Sequence, residues 1–132
     1  MAGGGQTPIE TPNWILELRG FFQRQINYPL SPHAQAMWQY LMYRANNAWW
    51  KFPLVLHLSE LSGALNMSIT TVKKAREELV SGRYILHESQ RGNRAACYYI
   101  LSMVSDTAVP IGNCLRVYKR KSYTGEDSNQ GE

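Results

Sequence analysis

The sequence predicts an α+β fold, mainly α, in which helix, helix, strand, helix, helix, strand and strand follow in that order. Three observations predict it. Between residues 59 and 82, two apolar stripes at helical spacing are parted by the short turn Asn66-Met67-Ser68. Beyond them, two runs rich in tyrosine and isoleucine flank Gly92-Asn93, where glycine can take the positive φ that a two-residue hairpin turn requires. Upstream, Ser31-Pro32 opens a long periodic segment as an N-cap followed by proline in the first helical position. A length of 132 residues with 44% hydrophobic composition suits one buried core.

Residues 1–13 hold Gly3-Gly4-Gly5 and two prolines, and are expected to be a flexible N-terminus. They contain no charged segment ahead of an apolar stretch, and no later apolar run reaches membrane-spanning length, so no membrane partner and a cytoplasmic location are expected. Trp14 to Ile26 has apolar residues at positions 15, 18, 22 and 26, the core-facing stripe of an amphipathic helix that Gly20 interrupts. From Ser31 the next helix runs through Met37, Trp38, Leu41, Met42 and Ala45. Burial is expected for these and for most of Tyr40, Tyr43, Trp49 and Trp50. Phe52, Leu54, Leu56 and Leu58 alternate as in a short strand, which Pro53 confines to an edge or to its own first residues.

The next helix takes Ser59 as its cap and Glu60 in its first turn, and Gly63 is expected where the two neighbouring helices pack closely. The helix after the turn begins at Ser68, a second N-cap, with Met67 and Val72 placed as a hydrophobic staple. Ile69, Val72, Ala75 and Leu79 should face the core. Thr70, Thr71, Lys73, Lys74, Glu77 and Glu78 are left to solvent, with Arg76 at the boundary and Gly82 as a left-handed terminator. Tyr84 to Gln90 and Ala95 to Ser102 then form strands whose connection carries Arg91 and Arg94. This order is that of a winged helix-turn-helix with an extra N-terminal helix, over residues 14–103. Residues 104–132 form a flexible C-terminal tail, basic at Arg116, Lys119, Arg120 and Lys121, then acidic at Glu126, Asp127 and Glu132.

A helix so placed projects its polar face outward, and an arginine-flanked hairpin beside it offers a second surface to a phosphate backbone. Double-stranded DNA is therefore the expected partner, met by Ser68, Thr70, Thr71, Lys73, Lys74 and Arg76 on the helix and by Arg91, Asn93 and Arg94 at the wing. For Arg116, Lys119, Arg120 and Lys121 a solvated tail is the first expectation, and an arm that adds phosphate contacts is the second. A net charge of +4 and a pI near 9.2 favour a polyanionic partner without requiring one. Enzymatic activity is not expected, since the phosphate-binding GxxxxGK[ST], HExxH and CxxC patterns are all absent. No cofactor is expected. The three histidines, His33, His57 and His87, fall in different elements, so no metal site is expected either. A second class stays open: an oligomerisation or protein-interaction module, with aromatics around Trp49, Trp50 and Phe52 supplying the contact.

Three stretches, "LSPHAQAMWQYLMYRANNAWW", "LHLSELSGALNMSITTVKKAREELVSGRYI" and "ESQRGNRAACYYI", resemble the N-terminal winged-helix domain of DnaD-like and phage replisome-organiser proteins. The resemblance spans Trp14 to Ser102. It is most specific at Leu30-Ser31-Pro32, at Asn46 to Pro53 with its paired tryptophans, and at Arg91-Gly92-Asn93-Arg94. It implies DNA binding in the initiation of replication of a phage, plasmid or integrated element, with self-association into a homo-oligomer and contact with replication proteins. A transcriptional regulator of the same fold is the alternative. Many proteins of that kind continue into a second helical domain, whereas residues 103–132 alone follow the matched stretch here.

Overall fold

A computed structural model describes residues 12–90, 95–104 and 111. The described residues form an α+β, mainly helical fold of seven elements: α1 (Trp14–Arg24), α2 (Pro32–Asn47), β1 (Leu54–Leu56), α3 (Leu58–Leu65), α4 (Ile69–Ser81), β2 (Ile85–Glu88) and β3 (Ala96–Ile100). The strands form an antiparallel sheet in the order β1-β3-β2, with Leu54 opposite Tyr98 and His87 opposite Tyr98 on its other side. Pro53 precedes an edge strand, where no ladder partner needs its missing N–H. No helix among the described residues is long and apolar enough to cross a membrane. Residues 1–11, residues 91–94, expected as the wing tip, and the basic residues expected in the tail lie outside the described residues.

The core is a stack of aromatic rings on aliphatic side chains. Phe21 of α1 lies face to face with Trp38 of α2, their centroids 3.9 Å apart, and meets Tyr84 edge-on at 5.4 Å. All three are fully buried, alongside Leu41, Leu61, Leu79, Ile85 and Ile100. Each large apolar side chain removed from water this way contributes about 1.5–3 kcal/mol. The Tyr84 hydroxyl donates to the Tyr28 carbonyl at 2.8 Å, so its polar end is satisfied within the fold.

The α1 stripe departs from expectation. Of its four residues Leu18 packs against the core, but Ile15, Phe22 and Ile26 are 59%, 50% and 81% exposed, and Phe21 and Glu17 turn inward instead. The inward face is chosen by partners that sequence spacing does not reveal. The Glu17 carboxylate accepts from Ser102 Oγ at 2.8 Å and from the Met103 N–H at 2.6 Å. A buried acid so bonded escapes the cost of an unpaired one. Gly20 faces Met103 so closely that a Cβ there would lie 2.3 Å from its carbonyl oxygen, which accounts for the glycine inside the helix. At the other end, Arg24 Nε donates to the Gly82 carbonyl at 2.8 Å, tying α1 to the end of α4.

Smaller differences have equally local causes. α3 starts at Leu58 with His57 as its cap, two residues ahead of the expected cap Ser59, and no side chain caps it. Gly63 is exposed and a Cβ there would meet nothing within 4 Å, so helix packing is not its reason. On α4, Ile69 is 44% exposed while Val72, Ala75 and Leu79 are buried. Gly82 keeps φ −83°, and the left-handed residue is Arg83 at φ 62°. The Tyr84 N–H bonds the Leu79 carbonyl at 2.8 Å and the Arg83 N–H bonds that of Val80 at 3.0 Å, the paired bonds of a Schellman end. Gly82 is needed for space, because a Cβ would lie 2.7 Å from the Tyr84 ring. Of the four aromatics expected inside, Trp50 is buried and Tyr40 half-buried, but Tyr43 and Trp49 are 59% and 73% exposed. Trp50 and Phe52 belong to the core, so of the aromatics expected to offer a contact surface only Trp49 is outward. Ile111, in the stretch expected as tail, is buried, and its N–H donates to the Ile100 carbonyl at 2.8 Å.

Candidate nucleic-acid interface

α4 begins where Ser68 leaves the extended region, with its Oγ accepting from the Thr71 N–H at 3.1 Å. The same hydroxyl donates to Thr71 Oγ1 at 2.9 Å, so these two expected contact residues are engaged in holding the helix start. Thr70, Lys73, Lys74 and Glu77 are exposed. Glu78, expected at the surface, is half-buried and reaches back to Ser31 at the start of α2, so its carboxylate is engaged at the edge of the outward face.

Two grooves run along this outward face and differ in charge. One lies between α4 and the α1–α2 connection, and it sets Lys74 beside Glu77 and Glu78 against Tyr28 and Pro29. The other is a cleft of about 510 Å³ between α4, the start of α3 and the root of the β2–β3 hairpin. Lys73 and Arg76 line it with His57, Ser59, Ser89 and Gln90, and among the described residues no carboxylate does. Its two cations, set among polar side chains and the apolar Leu56, Leu58, Ile69 and Ala96, make it a place for an anion.

Arg76 is half-buried in the lining of this cleft, and its Nη1 donates to the Tyr98 hydroxyl at 3.1 Å. Tyr98 is fully buried on the central strand β3, so the oxygen that holds Arg76 is itself held by the core. Across the sheet the His87 ring lies 5.3 Å from the Tyr98 ring. Burial and then the Arg76 charge push the His87 pKa below its ordinary value, opposed by Glu88.

The structure thus brings Lys73 and Arg76 into one cleft with the hairpin root, while Lys74 flanks the second groove and Thr70 is exposed outside both. Arg91, Asn93 and Arg94 lie outside the described residues, as do Arg116, Lys119, Arg120 and Lys121. Sequence reading missed His57, Ser59, Ser89 and Gln90. The first two sit beside a helix start and the last two at strand ends, so a helix-then-hairpin topology was the signal that could have grouped them. Among the described residues no three His, Cys, Asp or Glu side chains group to hold a metal ion, and Cys97 is a free, half-buried thiol on β3. Comparison with family models, curated proteins and solved structures returns no match.

Proposed function

We propose that the chain is a winged helix-turn-helix protein that binds double-stranded DNA, acting in initiation of replication of a phage, plasmid or integrated element. α4 is its recognition helix and the β2–β3 hairpin its wing. The observation that carries this reading is the shared cleft: exposed Lys73 on α4 and Ser89 and Gln90 at the hairpin root face one space in which, among the described residues, there is no carboxylate. The strand order β1-β3-β2 around a helix pair joined by a three-residue turn supports the same fold. The replication role rests on the sequence resemblance alone. A transcriptional regulator would bind through the same geometry and differ only in where on the genome it sits.

The test is fluorescence anisotropy against random duplex and single-stranded DNA as salt is raised. With about five side chains neutralising phosphates, log K falls against log salt with a slope on the order of −4 to −5. The double variant Lys73→Ala, Lys74→Ala weakens binding and flattens that slope. No retention of duplex at low salt removes the reading.

The exposed apolar residues Ile15 and Phe22 of α1, with Ile26 in the turn after it, favour a second activity beside it: docking of a second copy or a replication protein on this segment. Light scattering of the wild type and of Phe22→Ser, Ile26→Ser tests it, a monomeric wild type excluding self-association.

A further inference from the structure

We propose that Arg76 is a phosphate anchor held in place by Tyr98, so that the cleft beside α4 seats one DNA phosphodiester independently of base sequence. This inference rests on the DNA-binding reading and assigns Arg76 a role distinct from base recognition.

The case begins with the contrast between the two grooves. Any anion entering beside Lys74 meets the carboxylates of Glu77 and Glu78, whereas the cleft on the hairpin side offers Lys73 and Arg76 with neutral hydroxyl and amide groups around them. The latter is where a phosphate is stabilised. The second step is the hold on Arg76. Its Nη1 donates to the hydroxyl of a tyrosine that is 0% exposed, at 3.1 Å. One donor is spent on this bond, and the planar guanidinium has others left to present to an oxygen pair. A long side chain in solvent loses rotamer freedom when it closes on a ligand, and a guanidinium fixed beforehand loses less. Tyr98 is therefore a positioning residue, acting on the ligand through Arg76. Half-buried in the lining of the cleft, Arg76 meets backbone that passes between helix and hairpin, leaving base edges to Thr70 and Lys73 on the helix ridge.

The experiment measures anisotropy of two duplexes of unrelated sequence with the full chain, over a range of salt, for wild type, Tyr98→Phe, Arg76→Gln and the double variant. Circular dichroism and thermal melting report folding. Arg76→Gln weakens binding about ten-fold on both duplexes. It makes the slope of log K against log salt shallower by about one. Tyr98→Phe, which keeps the ring and loses the hydroxyl, weakens binding in the same direction in the wild type and adds nothing once Arg76 is Gln. A tyrosine that merely supported the fold would weaken both backgrounds equally, and that result overturns the positioning role. An unchanged slope in Arg76→Gln, or a loss confined to one sequence, overturns the anchor. Should Tyr98→Phe fail to fold, the slope of Arg76→Gln still decides the anchor, and Tyr98→Trp replaces Tyr98→Phe in the cycle. A wild type that binds neither duplex overturns the DNA-binding reading itself, whereas normal wild-type binding with an unaffected Arg76→Gln overturns this inference alone.

Discussion

The carboxylate of Glu78 on α4 clasps Ser31 at the start of α2 with both oxygens, accepting from the backbone N–H and from Oγ, each at 2.8 Å. Ser31 Oγ in turn accepts from the Ala34 N–H at 3.2 Å, so one acid completes the cap of a neighbouring helix and fixes α4 against it. Hydrogen bonds to a charged group contribute about 1.5–3 kcal/mol each before solvent screening, which reduces them at this half-buried site. Glu78→Ala is expected to cost about 2 kcal/mol, read as a fall in the urea midpoint with unchanged slope. Glu78→Gln, which keeps one acceptor, should fall between. An unaltered midpoint in Glu78→Ala would show that the clasp adds nothing.

Gly20 and Gly63 are expected to respond in opposite directions to alanine. At Gly63 the new methyl meets open space, and the gain in helix propensity stabilises by about 1 kcal/mol. At Gly20 the same gain is outweighed, because the methyl would lie 2.3 Å from the Met103 carbonyl oxygen and α1 must shift from its seat. Overpacking of this kind costs about 1–3 kcal/mol. Thermal melting of the two single variants checks the pair, and equal shifts would contradict the packing described at Met103.

The contrast also indicates what was legible in the sequence. Order and type of all seven elements followed from caps, periodicity and turn chemistry, because Ser31, Ser68 and Asn66 act through neighbours a few residues away. Which side of α1 faces inward did not, since Glu17 finds its partners at Ser102 and Met103, far along the chain. The outward lysines of α4 were readable from helical spacing. Their inequality was not, because it depends on which groove each borders, and neither was the bond between Arg76 and Tyr98, which joins residues from different elements.

Arg83 holds a left-handed conformation, φ 62°, that a Cβ makes unfavourable, at the position after a helix where glycine is preferred. Its side chain is exposed, so little packing is lost on removing it. Arg83→Gly is expected to raise stability by about 0.5–1 kcal/mol, the strain relieved exceeding the added freedom of the unfolded chain. A lowered denaturation midpoint would mean that the arginine side chain contributes more than its conformation costs.

Lys73→Ala should weaken duplex binding more than Lys74→Ala, although the two are adjacent and both exposed. Lys73 borders the cleft that lacks carboxylates among the described residues, while the field at Lys74 is offset by Glu77 and Glu78 in its own groove. Removing a cation that neutralises one phosphate flattens the salt slope by about one, so the slope separates them: a change close to one for Lys73, and a smaller change for Lys74. Equal slopes would mean that the grooves do not set the path of the backbone.

His87 gives stability a pH dependence of defined sign. Burial and the Arg76 charge lower its pKa in the folded protein, so the unfolded chain, titrating near the ordinary value of about 6.5, takes up the proton first as pH falls. Stability is unaffected by this residue above that value and is lost from about pH 6.5 down to the folded pKa. The urea midpoint of the wild type should therefore drop between about pH 7.5 and pH 5.5, and His87→Gln should drop less. An identical loss in both proteins would place the titration elsewhere. DNA binding runs the other way: a phosphate seated by Arg76 offsets the charge that disfavours imidazolium, so bound DNA raises the His87 pKa and duplex affinity increases as pH falls. Anisotropy at the same two pH values reads that rise, and its disappearance in His87→Gln ties it to this ring.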